Sequence, residues 1–186
     1  RCGRYSSLTD LHYANNALAR EVRRRKLTAA VVQRHGWTTF GYVTPAGVMV
    51  RSLQEAIMAN LLTAAGIGFD YDLPVPGQQV PQGGKPVRYD FRIPSPRGPI
   101  YIECLQQPAG RRTCDRHREY GTQWEHKARI YAELHLDLLT CCMEDFPQLV
   151  TAPREVAFAQ HVAQQLAARG YDLAVPTRAV LMANSK

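Results

Sequence analysis

The 186-residue chain predicts an α/β domain with a mixed central β-sheet flanked by helices. Three observations carry that expectation. From residue 52 onward, helix-like and strand-like segments follow in the order helix, strand, strand, strand, helix, strand, helix. Two neighbouring runs, RYDFRI at 88–93 and IYIECL at 100–105, have the β-branched and aromatic content of strands, with a Pro/Gly-rich turn from Pro94 to Pro99 between them. A short apolar run, Leu136 to Cys142, suits a buried strand that follows a long helix.

Taken in order, residues 7–35 predict one helix carrying the basic block Arg23, Arg24, Arg25, Lys26. Such a block is either a solvated helix face or a phosphate-contacting patch. Residues 37–50 alternate and turn at Pro45, Ala46 and Gly47, which predicts a hairpin. Together, 1–50 read as a basic helical N-terminal region with a short hairpin, and 51–186 as the α/β core with a C-terminal helix. Ser52 opens a helix running to about residue 65, with Leu53, Ile57 and Leu61 on one stripe and Gly66 as its stop. IGFDYDL at 67–73 alternates as a strand does, and 74–86, rich in Pro, Gly and Gln, reads as loop. Residues 106–115 form a polar loop, 115–135 a long helix, and 153–169 an amphipathic helix ended by Gly170.

Composition narrows the classes of function. No apolar run approaches the roughly 18 to 20 residues of a membrane span, so no membrane partner is expected. Lys and Arg number 23 against 16 Asp and Glu, a net charge of +7 that favours a polyanionic partner. The five cysteines are odd in number and irregularly spaced, so an intracellular, reducing setting is expected, cytoplasmic or nucleoid-associated. A homodimer and a part within a larger polypeptide or complex both fit. No P-loop, dinucleotide fingerprint or nucleophile elbow is present.

The chemistry-bearing pair is Asp90 and Glu103. Each is a carboxylate among apolar neighbours, and 13 positions separate them, enough for two strands and a turn. Side by side they repel, which burial worsens, so either raised pKa values or a shared divalent cation is expected. Oxygen ligands of this kind suit Mg²⁺, with Mn²⁺ as an alternative.

The stretch RSLQEAIMANLLTAAGIGFDYD, then RYDF, then IYIEC, then a helix and a strand, resembles the PD-(D/E)xK nuclease superfamily over residues 51–142. The resemblance implies a restriction-endonuclease-like core and divalent-metal-dependent hydrolysis of DNA phosphodiester bonds. It implies Asp90 and Glu103 as metal ligands and Glu55 as an additional helix-borne acid. Tyr89 stands where the motif has Pro, a harmless change, but Leu105 stands where it has the catalytic Lys. Lys127 is the expected replacement. Tyr120, Trp124, Lys127 and Tyr131 fall at offsets of 0, 4, 7 and 11 on one helical face, and the aromatic residues should turn that face to the sheet. Otherwise the Lys127 stem covers the core and its ammonium reaches water.

Competing local roles accompany these assignments. Ser52 to Glu55 is a capping box in which Glu55 should bond back to the Ser52 amide. Gln106 either orients a water or is solvated. Arg111, Arg112, Arg116 and Arg118 either track a nucleic-acid backbone or are ordinary surface charge. Asp70 and Asp72 read as surface positions. Cys104, Cys114, His117 and His126 lack the paired short spacings of a zinc site, and Cys141 and Cys142 read as core. The first expectation is therefore a Mg²⁺-dependent DNA endonuclease using Asp90, Glu103, Glu55 and Lys127. The alternative is an inactive nuclease-fold module that binds nucleic acid or partner proteins within a larger assembly.

Overall fold

The computed structural model describes residues 11, 15–25, 27, 30, 31, 34, 41–105, 115–146 and 153–183, with the backbone alone for Asn16, Arg23, 115–122 and Glu144. The chain divides into two compact units, Arg1–Leu61 with Ala179–Lys186, and Leu62–Arg178.

In the first unit, helix α1 spans Asn16–Arg24. The single helix expected over 7–35 is interrupted. Asn15 Oδ1 accepts the Leu18 N–H at 3.1 Å, so Asn15 is an N-cap where the sequence predicts a continuous helix. At the other end the Leu27 N–H bonds back to the Val22 carbonyl at 2.9 Å, an i to i−5 closure that ends the helix. The short polar side chain of Asn offers the backbone an alternative to continuing the helix, and that local competition wins here. Leu11, Ala19 and Val22 form a small core with Val31 packed against it. Glu21 holds both Arg24 and Arg25 at 2.5 Å in exposed pairs, so part of the basic block is neutralised within its own helix.

Strands β1 (Tyr42–Val43) and β2 (Met49–Val50) pair antiparallel, Tyr42 opposite Val50, around a turn in which the Gly47 N–H donates to the Thr44 carbonyl at 2.8 Å. Gly41 precedes the hairpin at φ +100, and a Cβ there would lie 2.2 Å from the Val50 carbonyl oxygen. Only glycine fits both the angle and the space. Helix α2 (Leu53–Ala64) ends with the Ile67 N–H on the Leu62 carbonyl at 2.9 Å and Gly66 at φ +69. The expected stripe of Leu53, Ile57 and Leu61 understates its burial. Ala56, Ile57, Met58, Ala59, Asn60, Leu61 and Leu62 are all buried, as in a helix covered on every side. Asn60 is the polar exception, and its amide donates to the carbonyls of Leu181 and Ala183 at 2.9 and 2.8 Å.

The second unit carries the mixed sheet. Its strands β3 (Asp70–Tyr71), β4 (Phe91–Ile93), β5 (Ile100–Cys104) and β6 (Asp137–Cys141) lie in chain order. β3 and β4 are antiparallel, β4 and β5 are antiparallel, and β5 and β6 are parallel with Cys104 opposite Cys141. A parallel pair needs a crossover, and helix α3 (Asp115–Glu133) lies in that connection. Every residue of β5 is buried, as suits an interior strand covered on both faces.

Helix α3 covers the face bearing Tyr101 and Glu103. Val75, Tyr89, Tyr101 and Tyr131 form the core there, with Ile130, Leu134, Leu136 and Leu138 packed against it. The ring of Tyr101 lies 5.4 Å from that of Tyr89 and 5.7 Å from that of Tyr131. Helix α4 (Arg154–Ala167) packs on β6 and on the 3-10 turn Met143–Asp145, burying Phe158, Ala159, Val162 and Leu166. The loop between β3 and β4 is braced: Gln78 Nε2 donates to the carbonyls of Val75 and Val87, and its Oε1 accepts the Val87 N–H. Asp70 and Asp72 pair with Arg92 and Arg88 near the surface.

Candidate active site

Strand register sets the first two residues of the site. Phe91 pairs with Ile102, and Asp90, the residue just before β4, lies near enough to Glu103 of β5 for their charges to interact. Both are buried, Asp90 at 7 % and Glu103 at 2 % exposure. Asp90 Oδ2 accepts the backbone N–H of Cys104 at 2.8 Å, which ties its carboxylate to the strand that bears Glu103.

Helix α3 supplies the partners of Glu103. Lys127 Nζ lies 2.5 Å from Oε2, and the Tyr131 hydroxyl donates to Oε1 at 2.5 Å. One helical turn separates Lys127 from Tyr131, so both side chains reach down onto the same sheet face. Lys127 keeps 21 % of its side chain exposed against 3 % for Glu103. The ammonium therefore sits at the edge of the buried site, with the carboxylate beneath it.

The electrostatics follow from that arrangement. Burial first, and then the charge of Asp90, push the Glu103 carboxyl up to about 8, against the opposing pull of Lys127 and Tyr131. The phenol of Tyr131 is pushed upward by burial and by the neighbouring carboxylate, so it stays a hydroxyl donor. The carboxylate oxygens of Asp90 and Glu103 are donors that suit a hard divalent ion, which takes its remaining ligands from water and phosphate. Among the described residues no group of three or more His, Cys, Asp and Glu side chains could hold a metal by itself. A Mg²⁺ bound here would thus rest on Asp90 and Glu103, a pair that fits the ion's habit of using one or two carboxylates together with substrate oxygens.

Leu105, at the position of the motif lysine, is 6 % exposed, and its N–H extends the parallel ladder to the Cys141 carbonyl at 2.8 Å. The ammonium near Glu103 comes instead from Lys127 on helix α3, whose side chain keeps 21 % exposure. Glu55 belongs to the first unit, and its carboxylate serves the start of α2. Oε1 accepts the Ser52 hydroxyl at 2.9 Å, Oε2 accepts the Arg51 amide at 2.9 Å, and the Glu55 N–H donates to Ser52 Oγ at 3.2 Å. The capping box forms, but the carboxylate reaches the Arg51 amide instead of the expected Ser52 amide, because the Ser52 hydroxyl already holds its other oxygen.

Of the expected site residues, Asp90, Glu103 and Lys127 come together in one unit. Two contributors escaped the sequence reading. Tyr131 counted only as a large residue on the sheet-facing side of its helix, although its position four residues after Lys127 was the available signal for a shared target. The Cys104 amide left no sequence signal as the partner of Asp90, since any residue there supplies an N–H. Cys104 Sγ faces Cys141 Sγ at 3.8 Å, and His126 is exposed beside Arg129. Lys26, Gln106, Arg111, Arg112 and Cys114 lie outside the described residues, as do the side chains of Arg23, Arg116, His117, Arg118 and Tyr120. No helix among the described residues is long and apolar enough to cross a membrane. Comparison with protein-family models, with curated proteins and with solved structures finds no match.

Proposed function

We propose that the chain is a divalent-metal-dependent endonuclease that hydrolyses DNA phosphodiester bonds, with its site in the second unit. The observation that carries this reading is the buried pair Asp90, immediately before β4, and Glu103 on the adjacent β5, with the Lys127 ammonium 2.5 Å from Glu103. Burying two neighbouring acids is costly as a purely structural device, and such perturbed groups cluster at functional sites, which supports a functional account. The net charge of +7 favours a polyanionic substrate.

Asp90 and Glu103 hold the metal in this reading. A bound Mg²⁺ would supply charge neutralisation at the phosphate and a more acidic water. Lys127, at the solvent edge of the site, orients the attacking water or stabilises charge that builds on the phosphoryl oxygens. Asp90 keeps its orientation through the Cys104 amide, which donates to its Oδ2. The second reading, an inactive nucleic-acid-binding module, draws on Leu105, which leaves the motif position without a cation.

Cleavage of linear, supercoiled, branched and single-stranded DNA with Mg²⁺ or Mn²⁺ separates the two. The wild-type chain should cut at least one form only when metal is added. Asp90→Asn and Lys127→Gln, checked for folding by thermal melting, should each lose about 100-fold or more in rate. Metal-independent DNA binding with no cleavage of any form would overturn the nuclease reading in favour of the module.

A further inference from the structure

The hydroxyl of Tyr131 has no counterpart in the roles assigned above, yet it donates to Oε1 of the central carboxylate at 2.5 Å. Tyr131 is 1 % exposed and is packed among Val75, Tyr89 and Tyr101. That packing fixes the hydroxyl independently of Glu103. A glutamate has three side-chain torsions, and holding one oxygen leaves the other in a defined place. The two oxygens of Glu103 are also unlike in their partners. Oε1 meets a neutral donor inside the core, and Oε2 meets a charged one at the solvent edge. A divalent cation entering from solvent competes with the ammonium for Oε2, because like charges repel at that range. It has no such conflict with the phenol.

We propose that Tyr131 is a positioning residue: its hydroxyl pins Oε1 of Glu103, so that Oε2 alone exchanges between Lys127 and a divalent cation. This rests on the metal-dependent reading and assigns a division of labour within its site. Lys127 stands in for the cation in the metal-free chain and is released toward the substrate when metal binds. The carboxylate keeps its orientation during the exchange.

The test is calorimetric titration of Mn²⁺ into the full chain without DNA. It compares wild type with Tyr131→Phe, Tyr89→Phe, Lys127→Met and Lys127→Gln, all checked by thermal melting. Tyr89 lies in the same aromatic cluster, and Tyr89→Phe removes a hydroxyl from that cluster as a control for packing. Tyr131→Phe should weaken Mn²⁺ about tenfold or more, as loss of a partner behind a metal ligand does. Tyr89→Phe should leave the affinity unchanged. Either Lys127 variant that folds should tighten it about tenfold by removing the competing charge. Unchanged affinity in Tyr131→Phe, or an equal loss in Tyr89→Phe, overturns the positioning role while the metal reading stands. Weaker binding in the folded Lys127 variants overturns the exchange at Oε2. If the wild-type chain takes up no Mn²⁺, the metal reading fails and the proposal fails with it.

Discussion

Glu55 and Glu103 are both buried carboxylates, 5 % and 2 % exposed, but they are buried for different reasons. Glu55 sits three residues after the N-cap Ser52 and closes a local capping network: its own N–H, which the helix start leaves open, donates to Ser52 Oγ, and its carboxylate accepts the Ser52 hydroxyl and the Arg51 amide. These partners lie within four residues of it along the chain. Glu103 is met by groups from a helix 24 and 28 residues further on, and feels the charge of a second acid, Asp90. Nothing in forming β5 requires a carboxylate at that position. A buried charge that local structure explains is a cap; one that only distant residues satisfy calls for a functional account.

The largest test of this contrast is Lys127→Met. Removing one partner of a buried ion pair leaves the other charge stranded and costs about 3 kcal/mol or more. The loss should be greatest above about pH 8, where Glu103 is ionised, and smaller near pH 6, where the carboxyl carries its own proton. Urea unfolding at the two pH values measures it. Equal losses at both would mean that Lys127 acts through its aliphatic stem, and the contrast between the two glutamates would weaken.

Next in size is the pH dependence of Glu103 itself. Its carboxyl is raised from 4.5 to about 8 by burial and by Asp90. Between those values the folded chain holds a proton that the unfolded chain has lost, so this group's contribution to stability falls as pH rises through that window. Glu103→Gln has no proton to lose. Relative to the variant, the metal-free wild-type chain should lose melting temperature steadily from about pH 4.5 to about pH 8. A constant difference across that range would show that Glu103 is not held up, and would remove the electrostatic half of the argument.

The same contrast marks what the sequence made legible. The order of the elements, the four strands of the sheet and the neighbouring placement of Asp90 and Glu103 could all be read, because period-2 alternation and turn residues act locally. Lys127 could be placed inward because Trp124 and Tyr131 share its helical face. The break at Asn15 was hidden by a run of good helix formers, since a cap is a choice between two local bonds that composition barely distinguishes. The Tyr131 hydroxyl on Glu103 was hidden for another reason: periodicity shows that a residue faces the sheet but not what its polar atom meets there. The resemblance to a nuclease core proposed both acids and said nothing of that bond.

Glu55→Ala comes next. It removes acceptors from the Arg51 amide and the Ser52 hydroxyl, and should cost about 1 kcal/mol, as loss of a cap does. Ser52→Ala should cost a similar amount, and the double variant should cost less than the sum, because the two side chains hold one another. Chemical denaturation of the three variants gives the coupling directly. Additive losses would mean that Glu55 is held by something other than its cap, and it would then belong with Glu103.

The smallest effect is expected from Glu55→Gln. Gln serves in a capping box as Glu does, because its amide oxygen still accepts the backbone N–H. What disappears is one negative charge in the first turn of α2, favourable there by about 0.3 to 1 kcal/mol through the helix dipole. The corresponding change at Glu103 replaces an acceptor facing two donors with a group that presents an NH₂ to one of them, the Lys127 ammonium or the Tyr131 hydroxyl. Identical chemistry is therefore tolerated at the cap and disruptive in the sheet when the two variants are compared at pH 9, where Glu103 is ionised. If Glu55→Gln proved the more destabilising of the pair in that comparison, local satisfaction would not be what keeps Glu55 buried, and the criterion separating a structural acid from a functional one would fail in this chain.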